Sequence, residues 1–354
     1  MKKLIALLAM GLISASAFAA QWDMYGQVRL RAFYESLSKD YTGNATGETD
    51  TDLSFGNQAN SRIGAKVKAD DKLSAVVELG LGSSENGNNA VTTRLIYADY
   101  NFGAFKLRMG QDYGPTATFF DFNQVSNTDN DLVGFGAINS SRYAQLKLMA
   151  GGLEVAISKP GVNLTGAATY DVMLPRIEAA YTLDMKPIKA KIAGGYQTFK
   201  AYQNANETGA DGNISAYVLA ALVKVDMGAI YANATGYLGS NTGTMGYQGS
   251  ASGINSTAAA SFSEDSSDYG FALNAGFKAS DSLILEAGYG YAQADRDDYT
   301  KADKAQSYYV NATYKIAKNF FIVPEISVED RMKNKNDTKE GSKTFYGAKF
   351  QANF

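Results

Sequence analysis

From Trp22 to Phe354 the chain keeps returning to a period of two, and that period limits what it can become. At the C-terminus Thr344, Tyr346, Ala348, Phe350, Ala352 and Phe354 share one face of an extended segment, with Phe345, Gly347, Lys349, Gln351 and Asn353 on the other. Near the N-terminus Trp22, Met24, Val28, Leu30 and Ala32 alternate with Asp23, Tyr25, Gln27, Arg29 and Arg31. Successive side chains of a strand point to opposite faces, so this spacing separates an oily face from a charged one, which a helical period would mix. The same sorting recurs in Ile63, Ala65 and Val67 against Arg62, Lys66 and Lys68, and in Ala75, Val77, Leu79 and Leu81 against Ser74, Glu78 and Gly80. It returns in the apolar sets Tyr269 to Phe277, Leu283 to Tyr291 and Tyr308 to Ile316. The longest later apolar run, Ala216 to Val225, is ten residues and contains Lys224, well short of the ~18 apolar residues a membrane-spanning helix requires. A closed β-barrel is the other way to pair every backbone N–H and C=O in lipid, and alternating segments of about ten residues are its signature.

Seven tight turns are read near Asp70, at Asn101 to Gly103, Gly151-Gly152, Asp184 to Pro187, Asp226 to Gly228, Ser280-Asp281 and Lys318-Asn319. Eight long polar stretches alternate with them: Ser38 to Gln58, Ser83 to Ala90, Asp112 to Asn139, Pro160 to Met173, Lys200 to Asn213, Gly239 to Ser266, Gln293 to Lys304 and Arg331 to Ser342. Together these connections join sixteen strands, an even number whose ends meet on the short-turn side. At ~10 residues per strand and ~4 per turn, roughly 18 remain for each long loop, so no second domain is left over. A soluble sandwich would not need aromatics near strand ends. Here Trp22, Phe102, Phe105, Phe277, Phe320, Phe321 and Phe354 mark the turn side and Tyr34, Tyr202 and Tyr237 the loop side, as interfacial girdles would. Ser141 to Met149 and Ile188 to Phe199 are the least regular strands, because small residues and a parity shift blur their faces.

The first residues have another character. Lys2 and Lys3 precede an apolar stretch from Leu4 to Ile13, and Ala17-Phe18-Ala19 is a small-x-small cleavage site. Residues 1–19 are therefore expected to be a secretory signal peptide and residues 20–354 the barrel. The exported chain has 0 Cys and 0 His, which removes disulfides, thiolate nucleophiles, histidine-dependent catalysis and the commonest metal ligands. The full sequence's formal charge of −3 provides no basic field for nucleic acid. No catalytic residue, cofactor or metal site is expected; the acids Asp295, Asp297 and Asp298 are read as solvated loop charge.

Several local motifs, in order, carry a resemblance. Tyr25-Gly26-Gln27-Val28-Arg29 opens the first strand, Asn60-Ser61-Arg62-Ile63-Gly64 with Lys66 lies on the second, and Thr93-Arg94-Leu95 on the fourth. Gly110-Gln111-Asp112-Tyr113-Gly114 ends the fifth strand, Asn139-Ser140-Ser141-Arg142-Tyr143 follows the third loop, and the last strand ends in Phe354. With the sixteen-strand count, this series resembles the Gram-negative general diffusion porins. That resemblance implies a homotrimer in outer-membrane lipid, assembled through a C-terminal signal ending in Phe354, and a third loop that narrows the channel.

The residues themselves suggest where. A sixteen-stranded barrel is wide enough for water, so inward polar positions line a channel. The third loop carries Asp121, Asp129 and Asp131 without Lys or Arg, and its Phe119, Phe120, Phe122 and Leu132 favour packing inside the barrel. By analogy with porins, Arg62, Arg94 and Arg142 form a basic cluster opposite these acids. Arg29, Arg31, Lys66 and Glu78 are secondary lumen charges, and Lys106 with Arg108 could shift which cations face the gap. Opposed charges across a narrow wet gap would orient small hydrophilic solutes and ions without a tight binding pocket. The alternatives are a substrate-selective channel for an anion or oligosaccharide, or a non-conducting structural or adhesive barrel.

Overall fold

A computed structural model describes residues 20–41, 49–83, 89–117, 122–126, 132–164, 166–207, 209–247 and 252–354. The proposed signal peptide lies outside these residues. The first half of the sheet comprises β1 (Gln21–Leu37), β2 (Asp50–Asn57), β3 (Arg62–Lys68), β4 (Leu73–Ser83), β5 (Asn89–Asn101), β6 (Lys106–Tyr113), β7 (Arg142–Ala150), β8 (Leu153–Ser158) and β9 (Thr169–Asp171). The second comprises β10 (Arg176–Met185), β11 (Ile188–Tyr202), β12 (Asp211–Asp226), β13 (Ile230–Ser240), β14 (Ser267–Lys278), β15 (Leu283–Asp295), β16 (Asp303–Ala317), β17 (Phe320–Asp330) and β18 (Ser342–Asn353).

These eighteen segments make sixteen staves. Segments β2 and β3 both pair with β1, opposite Leu30–Leu37 and Gln21–Gln27 respectively, so they are one interrupted strand. Likewise β9 and β10 both pair with β11. The barrel closes where β1 pairs antiparallel with β18, from Gln27 opposite Asn353 to Leu37 opposite Lys343. Closure leaves no free sheet edge, which is the condition for crossing lipid with strands. Gly26 and Phe354 exchange backbone hydrogen bonds at 2.8 and 3.0 Å, so the chain ends meet on the turn side as the strand parity predicts.

All seven tight turns fall between paired strands. Several loop boundaries need correction: Asp50–Asn57, expected inside a loop, is a strand because it finds Leu30–Leu37 as partner, and Thr169–Asp171 pairs with Lys200–Tyr202.

Outward positions are apolar and exposed, among them Leu219, Val310, Ile326 and Val28. At the turn end Trp22, Phe102, Phe105, Phe277, Phe320 and Phe354 stand on this outer surface. At the loop end the exposed ring set is Tyr34, Tyr196, Tyr217, Tyr269, Tyr308 and Tyr346. Three girdle assignments are wrong. Tyr202 and Tyr237 are buried, and Phe321 is on the inward face, level with Gln351 and next to buried Val323.

Candidate pore constriction

The lumen wall from β1 to β7 carries the cations. Arg62 pairs in register with Gln27 on one side and Gly80 on the other, which places it two positions from Glu78 on the same face. Arg94 reaches that face through a β-bulge: Glu78 opposes Leu95 and Leu79 opposes Thr93, leaving Arg94 unmatched on its strand. A bulge re-aims a side chain that strict alternation would send elsewhere. Glu78 is the hub. Its carboxylate accepts from Arg94 Nε at 2.6 Å and from the Tyr25 hydroxyl at 3.0 Å, and lies 3.7 Å from Arg62 Nη1.

Tyr113 joins the third arginine to this group. Its hydroxyl accepts from Arg142 Nη1 at 2.8 Å and from Arg94 Nη2 at 3.4 Å, and Arg142 lies over its ring at 5.2 Å. The predicted trio Arg62, Arg94 and Arg142 is therefore brought together, but its members differ. Arg94 is only 4 % exposed and also donates to Asn60 Oδ1 at 3.0 Å, so it braces the wall. Arg62 and Arg142 remain partly exposed to the lumen.

The secondary charges sit around this cluster. Arg29 donates to Gln27 Oε1 at 3.0 Å, Arg31 lies 3.5 Å from Glu35, and exposed Lys66 stands over the Tyr25 ring at 5.6 Å. Toward the turn end, Arg108 holds Asp99 at 2.7 Å and Asp112 at 2.6 Å, and Lys147 holds Asp112 at 2.8 Å. Asp112 was expected at the start of the third loop. It is instead the penultimate residue of β6, a buried acid held between two cations.

The third loop enters the lumen, as its apolar residues predict. Three buried wall glutamates hold it by its backbone. Glu178 on β10 accepts from Thr116 N at 3.1 Å and Oγ1 at 2.5 Å. Glu286 on β15 accepts from Asn123 N at 2.9 Å, and Glu325 on β17 from Val125 N and Ser126 N at 2.8 and 2.9 Å. Gln58, in the break between β2 and β3, donates to Val125 O at 2.8 Å, so Val125 also touches the wall that carries Arg62. A carboxylate taking two backbone amides makes a strong, directional anchor in a site closed to water.

On its return the loop lies directly on the sheet. Phe122, Leu132, Val133 and Ala137 pack against Ala272 and Tyr309, and Val125 packs among Phe33, Val323 and Phe345. Close approach depends on two glycines. A Cβ on Gly136, whose φ is 100°, would overlap the backbone oxygen of Phe271, and one on Gly290 would overlap that of Phe135. The loop acids Asp121, Asp129 and Asp131 lie outside the described residues.

The sequence reading missed Tyr113 and Tyr25, which connect the arginines, and the three anchoring glutamates. Glu178, Glu286 and Glu325 do occupy inward positions flanked by outward apolar residues. That parity signals a lumen charge, but a charge bound to a loop has the same pattern as one bathed in water.

A sixteen-stave barrel with its third loop fastened inside the lumen is a porin geometry, and the Gram-negative porin family profile matches residues 5–323. The chain belongs to the Gram-negative porin family. This porin is an outer-membrane channel for passive diffusion, and its lipid-facing surface is the outward apolar face described above. The outer membrane channel DcaP of Acinetobacter baumannii has a similar structure, with a TM-score of 0.72 at 17 % identity over 95 % of this chain and 97 % of that one. The anion-selective porin from Comamonas acidovorans gives 0.62 at 14 % identity, covering 95 % and 100 %. The trimer form of OmpT, an outer membrane protein of Vibrio cholerae, gives 0.60 at 13 % identity, covering 95 % and 99 %. At these identities the likeness is one of fold. No curated protein matches the chain.

Proposed function

We propose that Arg62, Arg94 and Arg142, balanced in part by Glu78, form the basic side of the porin's eyelet, with Arg29, Arg31 and Lys66 extending it along the wall. Asp121, Asp129 and Asp131 of the third loop form the acidic side. The observation that carries this reading is that the described part of the third loop is fastened inside the lumen by glutamates on β10, β15 and β17, while Arg62 and Arg142 stay partly exposed on the lumen wall. Solutes then pass between a basic wall and a loop, in a transverse field that favours small hydrophilic molecules and ions. The channel performs no reaction of its own and needs no cofactor.

Arg142 carries the sign of the selectivity. Its partner is the neutral Tyr113 hydroxyl, whereas Arg94, Arg108 and Lys147 are matched to carboxylates. The balance at the wall therefore favours anions, in keeping with the anion-selective porin of similar fold. Residues 1–19 act as the export signal, Phe354 directs outer-membrane assembly, and the working unit is a homotrimer, the state named for the OmpT structure. Single-channel recording in a planar bilayer under a KCl gradient tests the reading. Openings in steps of three with an anion-sided reversal potential are expected; silence from correctly folded barrels would end the channel proposal, and a cation-sided potential would assign control to the loop acids.

A further inference from the structure

The third loop is not held by the barrel wall alone. The connection between β13 and β14 also folds inward, and residues 241–247 reach both ends of the third loop. At the returning end, Asn139 N donates to Tyr247 O at 3.3 Å, and Met245 and Tyr247 pack with Ile138 over Ala216 and Val218. At the starting end the link runs through Arg176. Its guanidinium lies 4.6 Å from the ring centres of both Tyr143 and Tyr247, donates to Met245 O at 3.0 Å, and pairs with Glu178 at 2.7 Å. Glu178 is the same carboxylate that anchors Thr116. Met245 and Tyr247 are 2 % and 0 % exposed, so the knot is closed to water.

We infer that residues 241–247 are a latch for the eyelet, with Met245 and Tyr247 as positioning residues of the diffusion path although neither faces it. A charged knot without water has one good arrangement, because each loosened partner leaves a buried donor or acceptor unpaired. The third loop's position is therefore set jointly by two loops far apart in sequence. The eyelet's aperture and steadiness depend on the second as much as on the first. This rests on the channel reading, and the test below includes a readout independent of conduction.

The chain has no Cys, so Ala137→Cys gives a single thiol at a position of the third loop that is fully buried. The experiment measures its maleimide labelling in folded barrels, together with single-channel current and reversal potential. In the Tyr247→Ala background, labelling is expected to accelerate about tenfold as the loop opens locally. The current should become noisier and the reversal potential should move. Tyr247→Phe keeps the ring over Arg176 and should restore all three values. Met245→Ala, which keeps the Met245 carbonyl, serves if Tyr247→Ala does not fold, and should act in the same direction. Protected thiols in both variants would overturn the latch whether or not the channel conducts. So would faster labelling with unchanged current and reversal potential, because the segment would then be structural only.

Discussion

On β1 and β3 the lumen-facing positions carry Arg29, Arg31, Arg62 and Lys66, all at least partly exposed, whereas on β12 they carry Ile214, Ala216, Val218, Ala220 and Leu222, each no more than 4 % exposed. The first wall meets water. The second is sealed by loops: Tyr247, Met245 and Ile138 cover Ala216 and Val218, and Phe262 and Ala258 cover Ile214 and Phe199. One barrel therefore has a wet lumen face and a dry one. Alternation of apolar and polar residues belongs to strands between lipid and water, and strands between lipid and packed loop lose it.

The largest effects should come from treating the dry wall as wet. Ala216→Asp would bury an unpaired carboxylate beneath Tyr247, at a cost of about 3–5 kcal/mol. Lys66→Ala, an equally drastic change on the exposed wall, should stay within about 0.5 kcal/mol. Urea unfolding in detergent compares them, and equal midpoint shifts would mean that the two walls do not differ as described.

Next in size is the boundary between the walls, where the glutamates hold the loop. Glu325→Ala leaves Val125 N and Ser126 N without their acceptor and removes one of the two that Asn311 Nδ2 has. Loss of such buried charge-assisted bonds should lower stability by about 2–4 kcal/mol and widen the channel, because the loop tip is released. A conductance equal to that of the unaltered porin would show that Gln58 and the apolar packing hold the tip without Glu325.

The contrast also explains what could be read from the sequence. Strand number, closure and all seven turns are legible because the wet wall obeys its period and turn residues mark its ends. The segment Ile188 to Phe199 looks irregular for a physical reason: its inward face starts with Lys189 and Lys191 but ends in Phe199, which with Ala201 packs against folded-in loops, so that face changes from charged to apolar along the strand. Tyr202 and Tyr237 look like girdle residues by type and position, yet both are buried, Tyr237 inward against Met245 and Tyr247 and Tyr202 beside Lys200 and Asp171. Asp112 looks like loop charge because nothing local reveals that Arg108 and Lys147 flank it in the sheet. Arg94 reaches the lumen by a bulge, which parity alone does not predict. Anchors such as Glu325, two hundred residues from Val125, depend on a fold already formed.

A smaller effect on folding, but a selective one on function, is expected at Arg142. It is partly exposed and bonded to a neutral hydroxyl, so Arg142→Ala should change stability by less than about 1 kcal/mol. Among the described residues no carboxylate bonds it, so the reversal potential should shift toward cations, most clearly at low salt, where the Debye length exceeds about 10 Å. A potential that does not move at low salt would remove Arg142 from the eyelet.

The smallest effect belongs to the wet wall's own turn. Asp70, exposed between β3 and β4, accepts backbone N–H bonds from Leu73 and Lys72 at 2.7 Å each, and these hold its carboxyl below the usual range. Because the folded pKa is lower than the unfolded one, its contribution is complete above the ordinary carboxylate pKa of about 3.9 and is lost as pH falls through the lowered value. Asp70→Asn keeps an acceptor but not the charge. The stability difference between the variant and the unaltered chain should therefore be slight at pH 6 and vanish in strong acid, roughly below pH 3. A difference independent of pH would mean that the side chain's shape rather than its charge sets this turn. The same substitution should leave the reversal potential unchanged, since water at the turn end screens Asp70 from the eyelet.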